Sequence, residues 1–213
     1  MKWYAAASMM LASSAVFAAD SGVEINNQPL SIVLSDGSQA NISTCNEFLA
    51  FRKSGKTVKD ILHLPDPQYY QAKNNLFECY LNDYAIQHHL SVIASNGPSF
   101  EKIIQHFPAS AALIVSDTEE QKIKHDFYGK TLSEYVPDLR AKSINRYISE
   151  NKDTGYFLKK TYSYKNKKNQ DINIVIIVGY SLSGSLGIPI AYRIDDMSGH
   201  VWKITKLDEN SPL

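Results

Sequence analysis

Ser181 is the residue whose sequence setting comes nearest to that of a catalytic nucleophile. It lies in the sequence G-Y-S-L-S at 179–183, one residue away from the G-x-S-x-G elbow that holds a serine on a sharp strand-to-helix turn. Asp195, Asp196 and His200 follow in the chain order serine, acid, histidine. However, the second glycine is a serine, and a glycine-rich loop and another predicted strand follow instead of a helix. We therefore predict no catalytic residues, and the alternative function is a small periplasmic hydrolase acting on cell-wall or lipid material.

The loop after this motif has the composition of a flexible connector. It contains Ser183, Gly184 and Ser185, but it lacks the G-K-[ST] ending and the following helix of a phosphate-binding loop. We predict a mobile hairpin loop here. Its three small residues belong to the candidate binding surface.

A cluster of lysines and tyrosines supplies the rest of that surface. In nucleic-acid-binding proteins, such interleaving combines phosphate contacts with base stacking, but 22 Lys and Arg against 22 Asp and Glu provide no overall attractive field. We predict binding of a protein partner or an apolar small ligand, and no nucleic acid; a solvated strand edge protected by lysines is the alternative. The residues are Tyr156, Lys160, Tyr162, Tyr164, Lys165, Lys167 and Lys168.

The histidines do not have the spacing of a metal site. His88 and His89 are neighbours, so on a helix they point to different faces and cannot chelate together. No H-E-x-x-H motif is present, and the other four of the six histidines are scattered. We predict no metal and no cofactor.

Cys45 and Cys79 are the two cysteines of the chain. In an oxidising compartment they have one intramolecular pairing, which closes a loop of 34 residues. A catalytic thiol and half of a metal site are the alternatives, although C-x-x-C spacing is absent. We predict a disulfide.

The first residues have the layout of a secretory signal peptide. Lys2 precedes a run of apolar and small residues at 5–16, and Val16-Phe17-Ala18 fits a cleavage site. We predict that residues 1–18 are removed, that the mature chain starts at Ala19 or Asp20, and that the protein is periplasmic or secreted. An uncleaved anchor is the alternative, but the run is shorter than the ~20 residues that span a bilayer. No later segment predicts a transmembrane helix.

Helical periodicity dominates the first part of the mature chain. A short hairpin is predicted over residues 22–43, and Thr44 and Glu47 have the spacing of a capping box that starts a helix. One or two further helical turns over 57–62 and a long helix over 68–90 follow. Shorter helices are predicted over 99–107, 119–127, 132–136 and 139–150.

From Gly155 the periodicity becomes that of strands. Strict alternation places one set of side chains on a single face of the first strand: Tyr156, Leu158, Lys160, Tyr162 and Tyr164. Four strands joined by short turns are predicted over 156–164, 171–182, 188–194 and 201–207. The 44% of hydrophobic residues and the zero formal net charge exclude a disordered chain. We predict one α+β domain over 19–213, with a helical part (44–150) that packs on an antiparallel meander (155–207). As a function we predict non-enzymatic binding of a partner protein, as in immunity or inhibitor proteins, or of an apolar ligand such as a lipid.

Overall fold

The computed structural model describes Ile25 and residues 28–94 and 97–213. Within these residues it contains five α-helices and two antiparallel sheets, of three and seven strands. The α+β class is therefore confirmed. The predicted signal peptide, residues 1–18, and the predicted start at Ala19 or Asp20 lie outside the described residues.

The smaller sheet comes first in the chain. Strand β1 (Leu30–Leu34) lies between β2 (Gln39–Ile42) and β3 (Val58–Ile61). The predicted hairpin is confirmed, and Gly37 takes the positive φ of +82° that its tight turn requires. The helical turns predicted over 57–62 are wrong, because β3 pairs with the second edge of β1. An isolated two-stranded hairpin is only marginally stable, and this third strand completes it.

Helix α1 (Cys45–Lys53) begins at the predicted capping box of Thr44 and Glu47, and the long helix α2 runs over Asp66–Gln87. Helix α2 is buried on two sides. Leu76 and Cys79 pack against the small sheet and α1, whereas Phe77 and Leu81 pack against the large sheet. This helix therefore belongs to two cores at once.

The large sheet contains the four predicted strands and three more. Its main order is β10-β9-β8-β7-β6-β5, and β4 pairs with the far end of β7. Helix α2 covers one face of the sheet. The other face is covered by α3 (Phe100–His106), a 3₁₀ turn (Ala109–Ala111), α4 (Asp117–Asp126) and α5 (Leu132–Tyr135). The strands are β4 (Ser91–Val92), β5 (Arg140–Ser143), β6 (Arg146–Ser149), β7 (Thr154–Lys165), β8 (Asp171–Ser181), β9 (Gly187–Asp196) and β10 (Lys203–Leu207).

The helix predicted over 139–150 is wrong, because this segment forms the β5–β6 hairpin. Its apolar residues fit helical spacing, but Tyr147 packs against Phe100 on one face while Ile148 is buried on the other. Neighbouring side chains on opposite faces require a strand. The hairpin pairs with β7 and extends the meander.

A β-bulge between Leu158 and Lys160 divides β7. Strict alternation predicted that Tyr156, Leu158, Tyr162 and Tyr164 share one face. Instead, Tyr156 and Leu158 pack with α3–α5, whereas Tyr162 and Tyr164 pack with α2. The prediction was wrong because the extra residue shifts the alternation by one position.

Residues 208–213, which we call the closing segment, join the two sheets. Arg52 donates a hydrogen bond to the carbonyl oxygen of Glu209. The side chain of Asn210 accepts from the backbone nitrogen of Val58 at 3.0 Å and donates to its oxygen at 2.8 Å. Tyr84 donates to the carbonyl oxygen of Leu213 at 3.0 Å. The segment thereby fixes α1 and β3 relative to the large sheet.

Candidate functional site

Ser181 lies at the end of β8, where its hydroxyl donates to Asp153 Oδ2 at 2.8 Å. The hydroxyl of Ser183 donates to the same oxygen at 2.5 Å, and the amide of Ser183 donates to Oδ1 at 3.0 Å. These bonds, led by those from the two serine hydroxyls, lower the pKa of Asp153. A carboxylate that accepts three hydrogen bonds organises this turn.

The acid and the histidine of the elbow motif lie far from the serine. The β8–β9 ladder pairs Tyr180 with Gly187 at one end and Asn173 with Ile194 at the other. At ~3.3 Å per residue, Asp195 is therefore roughly 30 Å from Ser181. Asp195 accepts hydrogen bonds from Arg193 at 2.7 Å and from Thr205 at 2.6 Å.

His200 lies beyond the far end of this ladder, in the turn between β9 and β10. Its Nε2 is 3.3 Å from Glu134 Oε2, and its carbonyl oxygen is 2.9 Å from His106 Nδ1. The serine, the acid and the histidine thus have separate partners, and the fold does not assemble them into a triad.

The tyrosines of the predicted binding surface are largely interior. Tyr156 is 1% exposed and Tyr164 is 4% exposed, on opposite faces of the large sheet. The Tyr162 hydroxyl donates to Glu78 Oε2 at 2.6 Å, and the Lys160 ammonium group is 2.7 Å from the same oxygen. The side chains of Tyr162 and Lys160 therefore join β7 to α2.

Glu78 is the residue of α2 that both side chains contact, so it is the centre of this β7–α2 joint. Burial acts to raise its pKa, but the hydrogen bonds from Lys160, Tyr162 and Asn74 outweigh it, so the pKa is lowered. Burial, together with the hydrogen bond to Glu78, raises the pKa of Tyr162. Glu78 is ionised and Tyr162 is neutral at ordinary pH, which keeps the joint intact.

The remaining predicted surface residues lie at opposite ends of β8. Lys165 forms an ion pair with Asp171 at 2.8 Å, and Lys167 and Lys168 are exposed in the β7–β8 turn. Ser183, Gly184 and Ser185 are exposed in the β8–β9 turn. These two turns are separated by the 11 residues of β8, or about 35 Å. The structure does not bring these lysines and the loop into one surface.

A groove lies instead where β9 extends beyond β10. The last pair of that ladder joins Leu207 to Ala191, so Ile188–Ile190 have no β10 partner. Two cavities, of about 150 and about 370 Å³, open on this part of β9 and share four lining residues. We call them together the edge groove. The shared residues are Tyr70, Ile188, Ile190 and Lys206.

The smaller cavity combines apolar walls with a buried charge pair. Phe77, Pro189 and Leu207 line it, as do Lys73 and Glu209. Glu209 is 1% exposed, and its Oε1 lies 3.3 Å from Lys73 Nζ. Its second oxygen, Oε2, is buried without a hydrogen-bond partner. The end of the groove thus holds a carboxylate that is only partly satisfied.

The electrostatics of this pair reflect the burial of the carboxylate. Burial raises the pKa of Glu209 despite the nearby ammonium group of Lys73. Burial acts to lower the pKa of Lys73, but the Glu209 carboxylate outweighs it and the pKa is raised. Lys73 therefore remains a cation, whereas burial makes the Glu209 carboxylate easier to protonate than an exposed one.

The larger cavity is predominantly apolar. Ala112, Leu113 and Ile114 form one wall, opposite Tyr192 and Ile204 of the sheet. The amide of Leu113 donates to the Tyr156 hydroxyl at 3.1 Å, which fixes this wall to the buried face of β7. The arrangement suits an aliphatic ligand, since ligand pockets are concave, mostly apolar and largely preformed.

Sequence reasoning missed the edge groove. The apolar residues at 188, 190 and 192 alternate as in a half-buried strand, and this signal predicts a strand but not its free edge. What creates the groove is the unequal length of β9 and β10, 10 and 5 residues. Glu209 carries no sequence signal, because acidic residues that follow a strand are expected to be exposed to solvent.

Comparisons with protein-family models, with curated protein sequences and with solved structures found no match for this chain. Within the described ranges, no group of three or more His, Cys, Asp or Glu side chains is arranged to hold a metal ion. In the same ranges, no helix has the length and apolar character needed to cross a bilayer.

Proposed function

We propose that this protein is exported and binds a small amphiphile, an aliphatic chain with an acidic head group, in the edge groove. The observation that carries the proposal is the pair of adjoining cavities beside the free side of β9. The larger, at about 370 Å³, falls within the ~300–1,000 Å³ that ligand pockets occupy.

The walls of the groove define the ligand. An aliphatic chain lies against Leu113, Ile188 and Ile190, where each buried methylene contributes about 0.8 kcal/mol. Lys206 is exposed on the rim that both cavities share. Its ammonium group is the partner of an acidic head group. Lys73, at the end of the groove, is already paired with Glu209.

Two features of the chain support export. The sequence at 1–18 is typical of a signal peptide. The sulfur atoms of Cys45 and Cys79 lie within disulfide-bonding distance, with Cα atoms 5.4 Å apart. Disulfides persist mainly in oxidising compartments. These features favour the periplasm, or the exterior of the cell, as the place where the ligand is bound.

The test uses the neutral fluorophore N-phenyl-1-naphthylamine as the groove probe and palmitate as the competitor. We expect the wild type to enhance the fluorescence of the probe and palmitate to displace it. Ile188→Glu places a carboxylate in the groove and should weaken probe binding at least about tenfold, since a charge buried without a partner is strongly unfavourable. Lys206→Glu should weaken palmitate more than the neutral probe.

Val92→Glu is the matched control, because Val92 is exposed on β4 and lies outside the residues that line the groove. It should bind the probe as the wild type does. The proposal is contradicted if the wild type does not bind the probe, or if Ile188→Glu binds the probe as tightly as the wild type does. Native mass spectrometry separates the partner-protein alternative: a stoichiometric protein partner without bound lipid favours an immunity or inhibitor function.

A further inference from the structure

The turn of the β5–β6 hairpin exposes an aliphatic side chain that serves neither the turn nor a core. Ile144 is 92% exposed, the highest value among the exposed large hydrophobic residues of the described chain. With Asn145 it forms the two-residue connection between β5 and β6. Such turns favour Gly, Asn and Asp, whereas a β-branched residue gains nothing there. Ile144 therefore belongs to no core and is accessible for a contact outside the chain.

The charges around Ile144 have one sign. Lys142 and Arg146 flank it at two residues on either side, and no acidic residue occurs between positions 139 and 149. Both flanking residues are exposed. Arg140, further along β5, forms an ion pair with Glu150. An aliphatic tip between two cations is thus presented to solvent.

The hairpin is held firmly on the sheet. The amide of Leu158 donates to the carbonyl oxygen of Asn145 at 2.9 Å, which ties the turn to β7. Arg146 Nε donates to the Tyr180 hydroxyl at 2.7 Å, and its guanidinium lies 5.0 Å from the centroid of that ring. Phe157 is the next ring, 6.2 Å from Tyr180. Half-buried aromatic rings therefore lie behind the cations.

We propose that the β5–β6 hairpin docks on an anionic lipid bilayer. Ile144 enters the boundary between head groups and acyl chains, Lys142 and Arg146 contact lipid phosphates, and Tyr180 lies at head-group level, as interfacial aromatic rings do. A bilayer fits better than a protein pocket, because a single aliphatic tip between two exposed cations matches an apolar layer beneath an anionic plane. The inference does not depend on the edge groove, which lies across the sheet beside β9 and β10.

The test is co-sedimentation with vesicles of phosphatidylcholine, with and without phosphatidylglycerol. We expect binding of the wild type to the mixed vesicles only, and loss of that binding at high salt. Lys142→Glu should weaken binding at least about fivefold, which corresponds to the contribution of one cation near an anionic surface. Lys122→Glu, at an exposed position of α4, is the matched control and should bind several-fold more tightly than Lys142→Glu.

A second measurement separates insertion from simple charge attraction. The tryptophan fluorescence of Ile144→Trp should be quenched by lipids brominated along the acyl chain. Ile144→Ser should bind the mixed vesicles several-fold more weakly while binding the groove probe as the wild type does. Any of three results overturns the proposal: the wild type does not bind mixed vesicles, the tryptophan fluorescence of Ile144→Trp is not quenched, or Ile144→Ser binds the vesicles as tightly as the wild type. Capture of a protein through Ile144 without vesicle binding overturns it in favour of a protein partner.

Discussion

The carboxylate of Asp153 determines the role of Ser181. Asp153 has a positive φ of +48°, a conformation that Asp tolerates better than most residues. Its hydrogen bonds to Ser181 and Ser183 fix the turn that follows β8. At the scale of the residue, the serine hydroxyl of the elbow motif is thus a turn-forming group.

Ser181→Ala should therefore leave function intact. We expect the midpoint of thermal unfolding to fall by less than about 4 °C, because the replaced hydroxyl is half-exposed. Binding of the groove probe should be unchanged. A variant that folds normally but loses a biological activity completely would instead favour the hydrolase alternative.

The buried carboxylate of Glu209 should leave a signature in the pH dependence of stability. Its pKa is raised by burial, so the folded state holds the proton more tightly than the unfolded state does. The free energy of unfolding therefore falls as pH rises from the ordinary value of 4.5 through the folded-state pKa. Glu209→Gln lacks this component, so the wild type should exceed the variant by more at about pH 4 than at about pH 8.

Urea unfolding of both proteins at the two pH values measures this difference. Val92→Ala, which changes no titratable group at an exposed position of β4, is the control and should differ from the wild type equally at the two pH values. A difference between wild type and Glu209→Gln that stays constant with pH would contradict the assignment of the raised pKa to Glu209.

At the scale of the element, the packing of strand β7 depends on two local features. One is the bulge beside Lys159, which sends the two halves of the strand to different cores. The other is Gly155, across which the ring of Tyr180 lies: a Cβ there would be 2.2 Å from the Tyr180 Cζ. Covering a strand glycine with an aromatic ring is a known way to stabilise a sheet.

Gly155→Ala should accordingly destabilise the protein by about 1–3 kcal/mol, because Tyr180 must move and lose its contact with Arg146. Gly187→Ala is the matched control on β9: its Cβ would meet the nearest side-chain atom at 3.8 Å, an ordinary contact. Chemical denaturation of the two variants compares them directly. Equal stability would contradict the packing of Tyr180 on Gly155.

The pairing of Cys45 with Cys79 connects α1 to the middle of α2. We expect Cys45→Ala/Cys79→Ala to lower the free energy of unfolding by about 3–4 kcal/mol, the loop-closure contribution for 34 residues. Thiol labelling of the denatured, unreduced wild type provides the check on the bond itself. Two labelled thiols would show that the cysteines are not paired.

Several elements could be predicted from sequence, and the failures have physical causes. The capping box at Thr44 and the long α2 stripe are local signals, and both were confirmed. The 139–150 segment failed because its strand state depends on pairing with β7, which lies later in the chain. The alternating sequence pattern of β7 does not reveal where the bulge lies. The edge groove depends on the residue at which β10 ends. Local periodicity cannot report either.

At the scale of the whole molecule, two connectors in the described part of the chain join the small sheet to the large sheet. Helix α2 contributes to the core beneath the small sheet and to one core of the large sheet. The closing segment is the second connector. In it, the side chain of Asn210 forms hydrogen bonds with both the backbone nitrogen and the backbone oxygen of Val58.

Asn210→Ala should therefore loosen β3 without unfolding the large sheet. Two partly buried hydrogen bonds are lost, at a cost of about 1–3 kcal/mol. Hydrogen exchange should show faster exchange of the Val58 amide and unchanged protection in β8. Ser211→Ala, whose hydroxyl bonds only within the closing segment, is the control. Equal protection of Val58 in wild type and Asn210→Ala would contradict this role.

The closing segment also affects when the fold can be completed. Its hydrogen bonds to Arg52 and Val58 span 157 and 152 positions of the chain, and contacts this distant in sequence are slow to form. During synthesis, α1 and β3 emerge long before their partners in the closing segment exist. The small sheet and α1 therefore lack these contacts until synthesis has passed residue 210. Such a delay in completing the fold is compatible with the proposed export, in which a chain crosses a membrane before it folds.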